Sequence, residues 1–299
     1  MFSQHKKFIW IYLILLAALG LSACASFLGV EPTSTPQATF TPEPPTATPE
    51  PMALTVNGEG ISVVDFDAEV ARYVAAQDAL GATTSSADAT SVVIEDLIAQ
   101  LLLAQGARTN GFELDDTELQ SRLDSLAAQI GGVEVLSKWE SEHGYTEPAF
   151  RSALKRGAES AWMRDKIVTA LPSTVEQVHV QQILLYNEGT AQSFLAQLNG
   201  GADFDELALE ADPLTRGDLG WVPRGYLLDA KFEEIAFTLA VGEHSDVITT
   251  DVGFHIVRVL ERDADRPLSP DATLALQEMA LKEWIETQRQ QANVVLAPQ

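Results

Sequence analysis

Residues 178–185 read VHVQQILL, and how this stretch is read decides the fold of the middle of the chain. Its length, β-branched content and apolar weight are those of a strand, in which alternate residues face opposite sides. Val178, Val180, Gln182 and Leu184 then share one face, and His179, Gln181, Ile183 and Leu185 share the other. Whichever face is buried takes a primary amide with it. An amide buried without hydrogen-bond partners costs about 1–3 kcal/mol, so plain core packing does not account for Gln182.

Outward from this strand, residues 178–261 alternate short strands and helices. The strand is followed by helical TAQSFLAQLNGG and DFDELALEA, glycine-rich GDLGWVPRG and a short helix around KFEEIAFTL. The turn AVGEHS and two strands, DVITT and GFHIVRVLE, complete the order β-α-α-β-α-β-β, which is the texture of an α+β domain. GDLGWVPRG lacks the spacing and the lysine of a phosphate loop. Trp221 reads as domain core, and His179 and His244 as surface residues.

On the N-terminal side the period changes to that of helices. ALTVNGEGIS, residues 53–62, gives two extended pieces around the turn dipeptide Asn57-Gly58. Ser62 followed by Asp65 then opens a helix that carries Phe66, Val70, Tyr73 and Val74. Helical periodicity continues over 92–107, 115–130, 133–144 and from Thr146 onward, with Gly111, Gly131-Gly132 and Gly144 at the breaks. Residues 272–293 read as one further amphipathic helix. Trp139, Trp162 and Trp284 read as core or groove aromatics. His143 reads as a solvated helix end, because no second histidine or cysteine stands near it at metal-binding spacing. Such a helical body could clasp an unfolded chain, but periodicity alone does not separate a clasp from a closed bundle.

The first residues have another logic. His5, Lys6 and Lys7 precede the apolar run FIWIYLILLAALG and then Leu21-Ser22-Ala23-Cys24, the pattern of an export signal with a run too short for a comfortable membrane span. The four residues ending in Cys24, the single cysteine of the chain, resemble the bacterial lipobox, in which cleavage precedes the cysteine and lipid is attached to it. Cys24 is therefore the expected lipidation site, with the exported chain outside the cytoplasm, anchored to the cell membrane and free of internal disulfides. Residues 31–51 hold seven of the fourteen prolines and six threonines, a stalk composition that favours extended chain over core. Acidic residues number 43 against 19 basic, a net charge of -24. That balance lacks the basic footprint of a nucleic-acid binder and excludes nucleic acid as the expected partner.

Five blocks in the middle region carry a family resemblance: GADFDELA (201–208), GDLGW (217–221), FEEIAF (232–237), VGE (241–243) and GFHIVRV (253–259). Together they resemble the parvulin (rotamase, PpiC-type) peptidyl-prolyl cis-trans isomerases. The whole layout is similar to exported foldases of the PrsA and SurA type, with TVNGEGIS and the helical pattern carrying the weaker N-terminal part. The resemblance implies a parvulin domain with a four-stranded antiparallel sheet and surrounding helices, inserted between a helical N-terminal chaperone-like region and a C-terminal helix. The expected division is signal peptide 1–23, lipidated cysteine and stalk 24–52, helical domain 53–172, isomerase domain 175–263, and a C-terminal helix within 268–299 that packs on the helical domain.

The resemblance also places a site. The family sets one histidine on the first strand and a second on the last. Here the second is His255, while Gln182 stands at the first position. Thr250 matches the family's threonine, and Asp212 matches its cysteine or aspartate position, on a loop to Gly217 about two residues shorter than usual. Gln182, Asp212, Thr250 and His255 are thus the expected catalytic group. Leu228 and Phe232 match the apolar residues of the proline pocket, with Phe254 at its border.

Rotation about an X-Pro bond makes and breaks no covalent bond, so neither a metal nor a cofactor is needed. The site has only to hold the ring, desolvate the amide and favour the twisted state over a barrier of about 18–20 kcal/mol. Unfolded or newly exported polypeptides with X-Pro bonds are the expected partners. Glutamine replaces a neutral histidine as a hydrogen-bond partner but never becomes cationic, which implies activity that is retained but reduced, with less pH dependence than a two-histidine site. Two other readings stand beside this one. The first is a weak or inactive parvulin-like holdase, in which Gln182 replaced a needed histidine. The second is a solute receptor or adhesin, against which the lack of alternating βαβ units counts.

Overall fold

The computed structural model describes residues 50–227 and 229–297. The expectations placed on Cys24, the signal and nearly all of the stalk, and on Leu228, lie outside the described residues.

The chain enters as β1 (Met52–Val56) and β2 (Glu59–Ser62), joined at Asn57 and Gly58. Both turn residues have positive φ, 54° and 86°, the geometry that a two-residue hairpin requires and that Asn-Gly supplies at least cost. Ser62 caps α1 (Val63–Ala79) by accepting the Asp65 N–H at 3.1 Å. Then come α2 (Ser86–Thr109), α3 (Asp116–Ile130), α4 (Val133–Glu142) and α5 (Glu147–Thr169), capped at their N-termini by Ser85, Asp115, Gly132 and Thr146. Gly131, at φ 112°, ends α3 as a left-handed cap. Leu97, Ile98 and Leu101 of α2 are almost fully buried, against Leu54, Val56 and the inner faces of Phe66, Val70 and Tyr73. An ion network centred on one buried carboxylate ties this body together. Glu159 of α5, with no exposed surface, accepts from Arg108 and from the Leu114 N–H, and Arg108 also reaches Glu59. Among the described residues no helix is long and apolar enough to cross a membrane.

The middle region is built from β3 (Thr174–Leu185), α6 (Glu188–Asn199), α7 (Phe204–Ala211), β4 (Asp218–Pro223), α8 (Ala230–Thr238), β5 (Ile248–Thr249) and β6 (Phe254–Pro267). The strands form an antiparallel sheet in the order β4-β3-β6-β5. One face packs Ile183 and Ile256 against Phe194, Phe204 and Leu207 of α6 and α7. The other packs Val178, Val180, Val257 and Val259 against Phe232, Ala236 and Phe237 of α8. With both faces covered, each face of β3 does carry an amide inward. Gln181, 4% exposed, is satisfied by Asp205, the Arg216 carbonyl and Arg258.

The chain closes with α9 (Pro270–Gln291), whose Trp284 and Ile285 pack among residues of the helical body, and with β7 (Val294–Leu296), which pairs with β1. The strand β7 was not expected from sequence, and β3 and β6 are longer than their apolar runs. At their far ends Thr174 and Val175 pair with Pro267 and Arg266, and the Gln177 amide donates to the Arg266 and Pro267 carbonyls. Two other expectations are corrected. Trp221 lies only partly buried beside His179 and under the Arg266 guanidinium, outside the core. His179 is held by Asp218 at 2.8 Å and is not a free surface residue.

Candidate active site

Strand register assembles the site. Gln182 pairs with Val257 across β3 and β6, so His255, two residues before Val257, is its diagonal neighbour on the same face. Diagonal positions are within reach of long side chains, and Gln182 Oε1 accepts from His255 Nδ1 at 2.8 Å. On the other side of β6, His255 pairs with Ile248 of β5, and Thr250 follows Ile248 by two residues. Thr250 Oγ1 lies 2.8 Å from His255 Nε2 and also accepts the Val252 N–H at 3.1 Å. A carbonyl oxygen can only accept, so Nδ1 carries the proton, Nε2 is the acceptor and the Thr250 hydroxyl donates. Both nitrogens of the ring are thus held, in the neutral form that burial favours. Burial pushes its pKa below the ordinary histidine value, with the nearby Asp229 carboxylate acting in the opposite direction.

Phe232 stands edge-on to this imidazole, ring centres 5.3 Å apart and planes at 87°. Asp229 fixes Phe232 by capping α8, accepting the Phe232 N–H at 2.7 Å. Glu233 folds the preceding loop onto the same helix, accepting from Gly225 at 2.8 Å and from Leu227 at 3.2 Å. Tyr226 and Leu227 pack on the cluster that contains Phe232. Sequence reasoning missed Asp229 and Glu233. The Asp229-x-x-Phe232 spacing is a helix N-cap signal that marks the first of them.

Asp212 is placed differently. Its carboxylate accepts from the N–H groups of Leu214, Thr215 and Gly217 and from the Thr215 hydroxyl, and these bonds lower its pKa. It thus braces the short loop to Gly217, and the Gly217 carbonyl receives the Gln182 N–H at 2.8 Å. The structure brings Gln182, His255, Thr250 and Phe232 together directly, and Asp212 reaches them through the backbone. Phe254 precedes His255, so strand alternation puts it on the opposite face, that of Ile256. Among the described residues no cluster of histidine, cysteine and carboxylate groups suits a metal.

The chain that carries this half-buried polar network is similar to known proteins. Residues 166–263 match the PPIC-type PPIase domain and residues 1–138 the SurA-like N-terminal domain. The foldase protein PrsA of a Geobacillus species is 26% identical over 186 residues, covering 59% of this chain and 65% of the relative. The PrsA of Geobacillus kaustophilus is 40% identical over 92 residues, 29% of this chain and 32% of the relative. The chaperone SurA of Ralstonia nicotianae is 27% identical over 216 residues, 60% of this chain and 43% of the relative. The chain thus spans about a third to two thirds of the length of these curated relatives. The crystal structure of the peptidylprolyl isomerase PrsA from Bacillus cereus shares 20% identity over 78% of this chain and 83% of its own, with a TM-score of 0.42. By the two family matches the chain carries a SurA-like N-terminal domain within residues 1–138 followed by a PPIC-type PPIase domain within residues 166–263.

Proposed function

We propose that this protein is an extracytoplasmic peptidyl-prolyl cis-trans isomerase and foldase, lipid-anchored through Cys24, that assists the folding of exported polypeptides. The observation that supports it best is the neutral Gln182–His255–Thr250 network set against Phe232. Amide rotation needs an apolar seat for the proline ring and a polar environment matched to the twisted amide more than to either planar form. Phe232 supplies the seat, with Leu228 as the second apolar residue expected there. His255, Thr250 and Gln182 supply preorganised dipoles, and Asp212 holds the loop behind Gln182. The helical body, with Ile130, Val133, Val135 and Trp139 exposed on and between α3 and α4, is read as the part that holds unfolded chains.

The test is isomerisation of X-Pro peptides by the segment Met52–Gln299, beside Phe232→Ala and His255→Ala with folding verified. Acceleration that Phe232→Ala abolishes is the expected result. The holdase reading draws on Gln182 standing where the family has a histidine. It predicts no acceleration until Gln182→His is made, together with suppressed aggregation of an unfolded protein by the unsubstituted chain. Loss of the membrane-bound fraction on Cys24→Ser checks the anchor.

A further inference from the structure

The stretch Gly225–Leu227 comes just before α8 and packs on the cluster that holds the Phe232 ring, so its position sets one wall of the proline pocket. From within the domain it is held by Glu233, through the Gly225 and Leu227 N–H groups, and by the Asp229 cap. Gly225 sits at φ 83° and has no side chain of its own to fill the space beside it. That space is occupied by α9. A Cβ built on Gly225 would lie 2.5 Å from the Met279 sulfur and 3.4 Å from Leu276 Cδ2, too close for the sulfur to stay where it is. Leu276 is 7% exposed, whereas Met279 lies over the glycine with 41% of its surface still open.

The same helix is fixed at both ends. Its N-terminus follows β6, where the Gln177 amide grips the Arg266 and Pro267 carbonyls. Toward its C-terminus, Trp284 packs on Gly106 and Met163, and Arg289 pairs with Glu95. A helix of 22 residues spans about 33 Å. It is long enough to pack against the helical body and the pocket loop at once. Methionine suits this contact, because its unbranched, polarizable side chain moulds to an irregular backbone surface.

We propose that Met279, which lies beyond the isomerase domain that ends at residue 263, is a positioning residue for the proline pocket. With Leu276 it presses the Gly225–Leu227 stretch onto α8, so the pocket is completed by the C-terminal helix. The assignment of this loop to a proline pocket rests on the isomerase reading; the seating of the loop does not.

The test uses the Met52–Gln299 chain with Met279→Ala and Met279→Leu, and Glu233→Gln as a variant that loosens the same loop from the other side. Amide hydrogen exchange at Gly225 and Leu227 reports the seating directly. Met279→Ala is expected to speed both amides about tenfold, the effect of losing one partly buried apolar contact. Val180 and Val257 in the sheet should keep their protection, and Met279→Leu should restore the loop. For a proline peptide KM should rise about threefold with kcat nearly unchanged, because ground state and transition state use the same wall. Unchanged exchange at Gly225 and Leu227 would overturn the proposal, as would faster exchange with an unchanged KM. A lack of turnover by the unsubstituted chain would sink the isomerase reading, while the exchange data would still decide whether Met279 seats the loop.

Discussion

Replacing Gln182 by leucine tests the geometry of the site most sharply, because it keeps the side-chain volume and removes one acceptor. His255 is 7% exposed, and its Nδ1–H has Gln182 Oε1 as partner at 2.8 Å. After the substitution the ring has two options. If the proton stays on Nδ1, an N–H group is left buried and unpaired, at about 1–3 kcal/mol. If it moves to Nε2, that nitrogen donates to Thr250 Oγ1, and the threonine hydrogen must turn toward the Gly253 carbonyl at 3.5 Å. The second option loses roughly one hydrogen bond, about 1 kcal/mol, and is the cheaper. The expected outcome is therefore a tautomer exchange with a stability loss of about 1–2 kcal/mol, accompanied by a fall in isomerisation of about tenfold as the ring loses its fixed orientation.

Two assays read this. Nitrogen NMR of the imidazole distinguishes protonated from bare ring nitrogens, and in the unsubstituted protein Nδ1 should be the protonated one. Urea unfolding gives the stability change. Gln182→His, which returns an acceptor nitrogen, should recover the original tautomer and most of the stability. If Nε2 carries the proton in the unsubstituted protein, or if Gln182→Leu alters neither tautomer nor stability, the network described for this site is wrong.

The other expectations concern charge and backbone. Burial holds the pKa of His255 below its ordinary 6.5. An unfolded chain therefore takes up that proton more readily than the folded one, and the histidine's contribution is full above 6.5 and lost as pH falls below it. Urea midpoints from about pH 7.5 down to about pH 5 should drop more for the natural chain than for His255→Gln, and equal slopes would contradict the assignment. Arg108→Ala strands the Glu159 carboxylate, which has no exposed surface, and should destabilise the helical body by about 3 kcal/mol in denaturant titration; a loss under about 1 kcal/mol would mean that Lys155, 3.9 Å away, suffices. Gly217 has φ 67°, and a Cβ there would run into the Gln182 carbonyl. Gly217→Ala should therefore cost about 1–3 kcal/mol and lower isomerisation, with calorimetry and peptide kinetics as the checks.

Much of this arrangement was legible in the sequence because its signals are local. Asn57-Gly58 specifies a hairpin turn, and Ser62 specifies a helix start, with Gly131 marking an end. Alternation along β3 and β6 puts Gln182 and His255 on inward positions, and the family blocks give the pairing between them. What stayed hidden depends on distant partners. Val294–Leu296 is too short to declare itself a strand, and it becomes one because β1 offers an unpaired edge. Residues 261–267 are largely charged, and they extend β6 because β3 lies opposite and Gln177 clamps their carbonyls. Asp212 belongs to the same class of residue. Its type and place suggest a group facing substrate, but the short loop turns its oxygens back on Leu214, Thr215 and Gly217. Loop closure of that kind is a three-dimensional property that spacing does not report.

The amide in VHVQQILL has a physical rationale in this site. A histidine at position 182 could face His255 as donor, as acceptor or as cation, and the ring of His255 would follow with its own tautomer. The Gln182 carbonyl admits one arrangement of the neutral ring, with the proton on Nδ1 and the Thr250 hydroxyl directed at Nε2. Amide rotation transfers no proton, so the ability to change charge adds nothing to the chemical step, while a fixed set of dipoles needs no reorganisation as the amide twists. On this argument Gln182 exchanges adaptability for a single neutral tautomer of His255. The rate of the unsubstituted chain should then stay level from neutral pH upward, whereas Gln182→His should add a second imidazole inflection to that of His255.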